Sequence, residues 1–355
     1  MHFTVKLLFG LLLSHFVPVI MLGQMADTNR IIVADGYIER MDNNIAVKVT
    51  LNNNYQTFLQ EIGSDYRVNL YPNISTIMSV GIDYRFISAS FSFTPKFFPG
   101  NNDDDIHGST KSFSLAFATT FNKWGAGINY SKVKGYYLKN SIDFDPEWQE
   151  GDPYLFLPTD ETHMINVDLG YNFNPKLSFR SLTSFTERQL KSLGSFIPAA
   201  KFEFFQLDPK LRPNDVRPNG TIVNSAQVSD NYEFVVGPGY YYNFVLKEKF
   251  YALVGGYLGA GIVHTYLRTY FVDEVIKTTN TEFALRWEAK VALGYNGRDF
   301  FTGVYLNVND TEYKPEEFDV IQEFHWYYQF VIGIRFGSPK WLKKQMKKLD
   351  EKVKL

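Results

Sequence analysis

Hydrophobic and polar residues alternate along most of this chain. In Glu323 to Phe336, one set of alternate positions holds Phe, Trp, Tyr and Ile side chains, and the other holds mostly polar ones. The segments Phe283 to Tyr295 and Ile165 to Phe173 alternate in the same way. A period of two residues is that of a β-strand with one apolar face, not that of a helix. The chain is therefore predicted to consist mainly of amphipathic strands.

Less regular alternation marks further strand candidates. They are Ile45 to Leu51, Ile74 to Phe86, Ile87 to Thr94, Phe113 to Phe121, Trp124 to Lys132, Leu177 to Thr186, Ala200 to Gln206, Tyr232 to Leu246, Phe250 to His264 and Phe300 to Asn309. Strands repeated over this length predict an all-β fold.

Two all-β architectures can use such strands. A soluble β-sandwich buries its apolar faces, whereas a transmembrane antiparallel β-barrel turns them outward to lipid and encloses small and polar side chains. The polar positions here carry Gly, Ser, Asn and charges of both signs, and aromatic residues stand at the ends of the apolar rows, which favours the barrel. The residues expected in its aromatic girdles are Trp124, Tyr130, Tyr171, Trp287, Tyr295, Trp326 and Phe336.

Short and long connections alternate between the strands. The short ones lie at Arg85–Phe86, Asn122–Lys123, Asn174–Lys176, Leu246–Lys249 and Asn296–Arg298. The long ones are Pro95 to Ser109, Lys139 to Glu161, Asp208 to Asn231, Arg268 to Thr281 and Asp310 to Gln322. Outer-membrane barrels have short periplasmic turns, long external loops and an even number of strands. Keeping all short turns on one side requires an extra crossing at Thr221 to Val228 and a hairpin within Ile45 to Ile62, which gives about 14 strands within a range of 12 to 16.

The N-terminus resembles a secretory signal. Lys6 precedes an apolar run from Leu7 to Leu22, and small or polar residues follow up to Ala26. The run is too short and too interrupted for a membrane-spanning anchor, which is the alternative interpretation. We therefore expect residues 1–26 to be a signal peptide, residues 27–339 to form the barrel, and the protein to reside in the outer membrane of a Gram-negative bacterium.

The last segment, residues 340–355, is basic and has helical periodicity. It contains seven lysines and two acids, while apolar residues recur at helical spacing. We expect a short amphipathic helix on the periplasmic side, with Lys340, Trp341, Lys343, Lys344, Lys347 and Lys348 available to a periplasmic protein or an anionic surface. A solvated tail that only maintains solubility is the equally open alternative.

Composition excludes several function classes. The chain has 36 Lys and Arg against 38 Asp and Glu, a formal net charge of −2, which excludes a generally basic nucleic-acid-binding protein. It has no Cys, which excludes disulfide frameworks and thiolate metal sites. Outer-membrane lipid is the expected partner, and no cofactor or metal is expected.

Ionisable residues on the polar faces are expected to line the lumen. They are Lys48, Asp83, Arg85, Asp168, Arg286, Glu288, Lys290, His325 and Arg335. Lumenal charge can set the selectivity of a pore. Mixed signs instead favour paired charges that plug a narrow lumen, since buried charges are tolerated when paired.

Few residues suggest catalysis. His163 and His264 lie near strand ends and could serve a serine hydrolase acting on lipids, but nothing in the sequence joins either histidine to a serine. Asp103, Asp104 and Asp105 form an acidic loop without the spacing of an EF-hand.

Several short motifs resemble landmarks of one family. They are Tyr71-Pro72-Asn73, Lys134-Gly135-Tyr136-Tyr137-Leu138, Ser192-Leu193-Gly194-Ser195-Phe196, Gly237-Pro238-Gly239-Tyr240 and Arg335-Phe336-Gly337-Ser338-Pro339-Lys340. Over Tyr37 to Lys344 the chain is similar to a family of Bacteroidota envelope proteins described only as a domain of unknown function. The resemblance implies an outer-membrane β-barrel and brings no reaction, ligand or catalytic residue. The expected role is a structural or accessory envelope component with a largely plugged lumen; a narrow pore or transporter for small solutes and a lipid hydrolase or acyltransferase are the alternatives.

Overall fold

The structure is a computed structural model that describes residues 31–62, 66–121, 123–215, 224–313, 320–322 and 325–353. The expected signal peptide, residues 1–26, lies outside these ranges.

Strands dominate the described chain. Their bounds are β1 (Ile31–Val33), β2 (Ile38–Arg40), β3 (Asn44–Asn52), β4 (Phe58–Ile62), β5 (Tyr66–Tyr71), β6 (Ile77–Tyr84), β7 (Ile87–Phe93), β8 (Lys111–Phe121), β9 (Trp124–Leu138), β10 (Phe156–Tyr171), β11 (Glu187–Gln189), β12 (Leu193–Phe196), β13 (Ala199–Asp208), β14 (Ala226–Gly237), β15 (Gly239–Leu246), β16 (Phe250–Tyr270), β17 (Val275–Asn296), β18 (Phe300–Glu312), β19 (Val320–Gln322) and β20 (His325–Gly337). The helices are α1 (Asp104–His107), α2 (Phe179–Thr183) and α3 (Lys340–Val353), and Ser141–Asp143 forms a 3-10 turn.

The strands close into an antiparallel barrel. The described wall is a ring of twelve strands in the order β3, β6, β7, β8, β9, β10, β13, β14, β16, β17, β18 and β20, with β20 pairing back to β3. Strands β4, β5, β12, β15 and β19 extend these paths, and Pro198 and Pro238 interrupt two of them. The predicted barrel is confirmed, and its twelve paths fall within the expected range of 12 to 16.

The exterior of the barrel is apolar. On β8, Phe113, Leu115 and Phe117 are exposed, and the alternate Ser112 and Ser114 point to the other face. The same arrangement runs around the ring, with Leu258 on β16 and Leu293 on β17 both about three-fifths exposed, at 58% and 63%. Apolar side chains on the outside and small polar ones inside are the arrangement of a transmembrane barrel, not of a sandwich.

Four details differ from the predicted strand pattern, and the first two, together with the missing hairpin within Ile45 to Ile62, bring the number of strands below 14. Leu177 to Thr186 is not a wall strand, because Ser178 accepts a hydrogen bond from the Ser181 amide and caps α2. No extra crossing is described between Asp208 and Ala226, since β13 and β14 pair directly, although part of Thr221 to Val228 lies outside the described residues. Arg268 to Thr281 is not a loop, because β16 and β17 remain paired up to Tyr270 and Val275.

The region Ile45 to Ile62 also differs from the expected hairpin. β3 and β4 follow one wall path, pairing with β20 and β19 respectively, and residues 53–57 leave the ladder between them. Backbone N–H and C=O groups in a strand need hydrogen-bond partners. Those of β3 pair with β20 and those of β4 pair with β19, and β19 and β20 follow one path of the wall.

A second, small sheet closes one end of the barrel. Strands β1, β2 and β11 form this three-stranded sheet, and α2 lies just before β11 in the segment that joins β10 to β12. Together, residues 31–42 and 172–192 are here named the plug. It lies at the end of the barrel that carries the turns β6–β7, β8–β9, β15–β16 and β17–β18, the short-turn end; the opposite end is the loop end.

The C-terminal segment forms the expected helix. In α3, Met346 is buried at 7% exposure while Trp341 is 66% exposed. Ser338, just before it, is fully buried and donates from its hydroxyl to the Asn43 carbonyl at 2.8 Å, which fixes the helix start beside β3. Among the described residues, no helix has the length and apolar character to cross a membrane.

Candidate functional site in the barrel lumen

A buried ion-pair cluster joins the plug to the barrel wall. Glu39 on β2 forms ion pairs with Arg188 on β11 and with Arg298, at 2.8 Å, in the turn between β17 and β18. Arg188 also donates to the backbone carbonyls of Asn296, at 2.8 Å, and Glu248, at 2.6 Å. Those two carbonyls belong to two different wall turns, so one guanidinium ties the plug to both.

A wall arginine makes the reciprocal contact. Arg335 on β20 is 4% exposed and donates to the carbonyl of Phe185 in the plug at 2.7 Å and to the side-chain oxygen of Asn296 at 2.6 Å. The Phe185 ring stacks on that of Phe301 with centroids 4.4 Å apart. The plug is therefore held by both hydrogen bonds and apolar packing, within a buried cluster that also contains Tyr251, Leu253 and Val331.

The plug has its own internal ion pair. Arg180 on α2 pairs with Glu187 on β11, and Glu187 accepts a second hydrogen bond from the Ser178 hydroxyl at 2.6 Å. These three side chains are buried, so α2 and β11 are fixed to each other by contacts within the plug.

A lysine on the wall reaches both the plug and an acid. Lys48 on β3 forms an ion pair with Asp83 on β6 at 2.9 Å and donates to the Thr183 carbonyl of α2 at 3.1 Å. Asp83 has 0% exposure. Arg85 lies in the β6–β7 turn with a φ of 54°, and its carbonyl accepts from the Thr186 hydroxyl of the plug at 2.6 Å.

The middle of the lumen holds a charged belt. Arg286 on β17 contacts Glu233 at 2.8 Å, Glu288 at 3.0 Å and Glu203 at 3.5 Å. Lys201 on β13 contacts Asp168 on β10 and Glu288 on β17, both at 3.0 Å. These contacts link β10, β13, β14 and β17 across the lumen, and nearly all the charges are paired.

A polar row lies beside this belt. Lys290 on β17 is the register partner of Asn307 on β18, and Asn307 is the register partner of Tyr327 on β20. All three line a cavity of about 310 Å³ together with Lys201, Arg286 and Asn54. Inside a barrel, such a row presents its side chains at one level.

Residues 53–57 divide the space within the lumen. Asn54 lines the 310 Å³ cavity and two others, of about 230 and 260 Å³. The cavity of about 230 Å³ is lined mainly by Ser and Asn side chains, including Ser92, Ser114 and Asn129. The lumen therefore has a charged side and an uncharged polar side, separated by this segment.

A second apolar cluster lies toward the loop end. Phe58 on β4 stacks on Phe205 on β13 with centroids 4.5 Å apart, and Met164 and Leu207 complete the buried cluster with Tyr136. Met164 and Phe205 are register partners whose side chains face the interior. Polar cavities thus lie between an apolar cluster at the plug and another near the loop end.

The structure brings most of the predicted lumenal residues together in two groups. Lys48, Asp83, Arg85 and Arg335 contact the plug or flank its contacts, and Asp168, Arg286, Glu288 and Lys290 lie in or beside the belt. His325 begins β20, but its side chain lies outside the described set.

Sequence reasoning missed two sets of residues. Lys201 and Glu203 occupy inward-facing alternate positions of the predicted strand Ala200 to Gln206, so the alternation of polar and apolar residues was sufficient to identify them. Glu39 and Arg188 lie on no wall strand, and only their tertiary contacts reveal them.

The aromatic residues expected in girdles all lie on wall strands, at positions that alternate with the inward-facing ones. Trp124 and Trp326 are about half exposed, and Trp124 packs edge-on against Tyr171 with centroids 4.9 Å apart. Tyr295 packs against Phe250 at 5.3 Å near the short-turn end. Tyr130, Trp287 and Phe336 are partly exposed. Anchoring at the lipid interface remains a prediction for all seven.

The two candidate histidines have partners other than serine. On the exterior wall, His163 contacts the Tyr130 hydroxyl at 2.8 Å and Glu161 at 3.0 Å. His264 contacts the Thr281 hydroxyl at 2.6 Å. No hydrogen bond joins either to a serine within the described chain, so the geometry offers no assembled hydrolase triad there.

The acidic loop is likewise engaged by protein groups. Asp104 forms an ion pair with Lys96 at 2.6 Å and accepts from the Asn73 amide at 3.1 Å. Within the described ranges, no three His, Asp or Glu residues are grouped as a metal site requires.

Several solved structures of outer-membrane proteins are similar to this chain. The β domain of the Bordetella autotransporter BrkA is 10% identical, with 82% of this chain and 99% of that chain covered and a TM-score of 0.41. The translocator domain of the autotransporter NalP from Neisseria meningitidis is 8% identical, with coverages of 88% and 91% and a TM-score of 0.35. LpxR from Salmonella typhimurium is 9% identical, with coverages of 82% and 99% and a TM-score of 0.32. Similarity at this level carries no information on function.

No curated protein matches the chain. A family model does match, over residues 27–336, which contain the plug and all of the described barrel wall except its last residue, Gly337. The chain therefore belongs to the family described as "Domain of unknown function (DUF4421)".

Proposed function

We propose that this protein is an outer-membrane β-barrel whose lumen is closed on the periplasmic side, and that it serves as a structural or accessory component of the envelope rather than as an open pore. The apolar exterior supports insertion in a bilayer. Short turns lie in the periplasm in outer-membrane barrels, so the plug faces the periplasm in this assignment.

The attachment of the plug is the observation that carries the proposal. Arg188 and Arg335 are both buried, and each donates to groups on the opposite side of the plug–wall boundary. Removing one partner of a buried charged pair typically costs about 3–5 kcal/mol, because the other charge is left unpaired. Moving the plug away from the wall would break the Glu39–Arg298 ion pair and would leave the buried guanidinium groups of Arg188 and Arg335 without several of their acceptor oxygens, so the closed arrangement is favoured.

Single-channel recording in planar bilayers tests the proposal. The mature protein should insert without producing conductance steps. A variant in which residues 176–191 are replaced by a short Gly-Ser linker should produce them, because the linker leaves the wall strands in place and removes α2 and β11. Steps of similar size and frequency from the unaltered protein would overturn the proposal.

A gated narrow pore is the second candidate function. Polar cavities of about 230 to 310 Å³ occupy the lumen between the two apolar clusters, and they would contribute to a water path if the plug moved. In that case the unaltered protein should show rare openings whose ion preference changes in Arg286→Met. The chain has no cysteine, so a pair introduced across the plug–wall boundary can be crosslinked without competing thiols, and crosslinking should abolish the openings.

A further inference from the structure

Within the charged half of the lumen, one lysine differs from its neighbours. Lys201, Arg286 and Lys48 each form at least one ion pair within the lumen. Lys290 faces the cavity of about 310 Å³ and forms no hydrogen bond or ion pair with any other described residue. A buried ammonium group without a partner is costly, and such a group is stabilised when a ligand supplies the acceptor.

The side chain across from Lys290 also lacks a partner. Asn307, its register partner, is 5% exposed, and neither its amide nitrogen nor its amide oxygen has a hydrogen-bond partner among the described residues. Buried amides are nearly always hydrogen-bonded, so one that lines a cavity with both atoms unsatisfied indicates a missing polar group. Two adjacent unsatisfied side chains therefore face the same space.

We propose that Lys290 and Asn307 form a binding site for a small hydroxylated monocarboxylate, such as a sugar acid. The Lys290 ammonium donates to the carboxylate. The Asn307 amide donates to one ligand oxygen and accepts from a neighbouring hydroxyl, a pairing that neither a simple anion nor an apolar molecule provides. The cavity volume of about 310 Å³ is at the lower end of the range for small-molecule sites and suits a ligand the size of a monosaccharide.

The surrounding charges allow at most one negative charge on the ligand. Lys201 is shared between Asp168 and Glu288, and Arg286 is shared among three glutamates, so with Lys290 the belt holds three cations and four carboxylates. Among these cations, Lys290 is the one without a hydrogen bond or ion pair to a described residue, and its ammonium can contact one ligand carboxylate. A dianion such as phosphate would be repelled more strongly by Asp168 and Glu288, which already interact electrostatically with Lys290.

Calorimetric titration of the folded mature protein in detergent tests the site, with glucuronate as the probe and glucose as its neutral analogue. Lys290→Met removes the charge, and Asn307→Leu removes the amide with little change in shape. Lys277→Met is the matched control, since Lys277 lies on the same strand as Lys290 but is exposed and does not line the cavity. Heat-modifiable gel mobility verifies that each variant is folded.

We expect glucuronate to bind, glucose to bind at least about tenfold more weakly, and each of the two site variants to lose about tenfold or more in affinity, as the loss of a charge-assisted or buried hydrogen bond implies. Lys277→Met should change the affinity by less than about twofold, because solvent and salt screen an exposed charge far from the cavity. Equal affinity for glucuronate in the unaltered protein and in Lys290→Met would overturn the proposal. So would equal affinity for glucose, or the absence of any binding, which would mean that the cavity holds water only.

A second measurement needs no variant. Acetic anhydride labelling of the unaltered protein, read by mass spectrometry, reports how accessible the Lys290 ammonium is to reagent. Glucuronate should reduce labelling of Lys290 and leave that of Lys48 unchanged; equal labelling of Lys290 with and without glucuronate would overturn the site. Neither readout depends on conductance, so the site can fail while the plugged barrel stands, or the reverse.

Discussion

Glu39 and Arg188 are 149 residues apart in sequence and lie opposite each other on adjacent strands of the plug, where their side chains form a buried ion pair. Glu39 also holds Arg298 of the barrel wall. One carboxylate thus connects the N-terminal hairpin, the insert between β10 and β12 and the β17–β18 turn.

Glu39→Gln should loosen the plug without unfolding the barrel. The change leaves two arginines without their carboxylate, and we expect the free energy of plug opening to fall by about 3 kcal/mol or more. Hydrogen exchange should therefore become faster in residues 31–42 and 185–190 and stay unchanged in β17. Asp35→Asn is the matched control, because the Asp35–Lys176 pair is exposed and exposed ion pairs contribute little to stability. Identical exchange in Glu39→Gln and the unaltered protein would contradict the assigned role.

Arg286→Met should destabilise the barrel. It leaves Glu203, Glu233 and Glu288 facing one another without their shared cation, and a loss of about 3–5 kcal/mol is expected. Urea denaturation in detergent, followed by gel mobility, measures the change. Adding Glu233→Gln to Arg286→Met should restore part of the loss, because one of the unpaired charges is removed. A double variant less stable than Arg286→Met alone would show that the carboxylates are stabilised in some other way.

The loop that carries α1 should loosen in mild acid. Burial lowers the pKa of His107, which lies between the rings of Tyr137 and Tyr154 with centroids 4.7 and 5.1 Å away. The opened loop, with its ordinary pKa of 6.5, then binds a proton more readily than the closed loop. The stabilisation is complete above about pH 6.5 and declines as the pH falls toward the lower pKa of the closed loop.

Limited proteolysis detects this change. Cleavage within residues 96–108 should be faster at about pH 5.5 than at about pH 7.5, after correction for the activity of the protease. His107→Phe keeps an aromatic ring and cannot titrate, so its cleavage rate should not respond to pH. A response in the variant equal to that of the unaltered protein would assign the effect to another group.

Removal of the chain after Pro339 should leave the barrel folded. Apart from Met346, the described side chains of α3 are partly or fully exposed, and Trp341 stands beside Lys340, Lys343 and Lys344 on the surface. We predict that the truncated protein keeps its heat-modifiable mobility but loses its periplasmic partners in co-purification, or its binding to vesicles that contain anionic lipid. Unchanged partners and unchanged vesicle binding would support a tail that only maintains solubility.

The sequence alone was sufficient to predict the strands of the barrel wall but not the structure of the plug inside it. Strands such as β17 and β20 alternate so regularly that their outward faces could be assigned residue by residue. The plug carries no such pattern, because its strands are three residues long and are buried by contacts distant in sequence. Leu177 to Thr186 alternates like a strand, yet the Ser178 cap and the Arg180–Glu187 pair favour a helix there.

The lumen was likewise only half predictable. The alternation of polar and apolar residues identified Arg286, Glu288 and Lys290 as inward-facing. It could not show that Arg286 forms three ion pairs, whereas Lys290 forms none with the described residues. That difference depends on which strands meet across the barrel, and Glu203 and Glu233 reach Arg286 only because β13, β14 and β17 curve around one lumen.

Spin labelling of β8 tests most directly whether the apolar face contacts lipid. Because the chain has no cysteine, Leu115→Cys, Phe117→Cys and Ser114→Cys each place a single label, with the first two outside the wall and the third inside. In lipid vesicles, the labels at 115 and 117 should be relaxed strongly by oxygen, which concentrates in hydrocarbon, and weakly by a water-soluble nickel chelate, whereas the label at 114 should be shielded from oxygen. Strong relaxation by the chelate at 115 and 117, or equal oxygen relaxation at all three positions, would contradict a lipid-facing exterior.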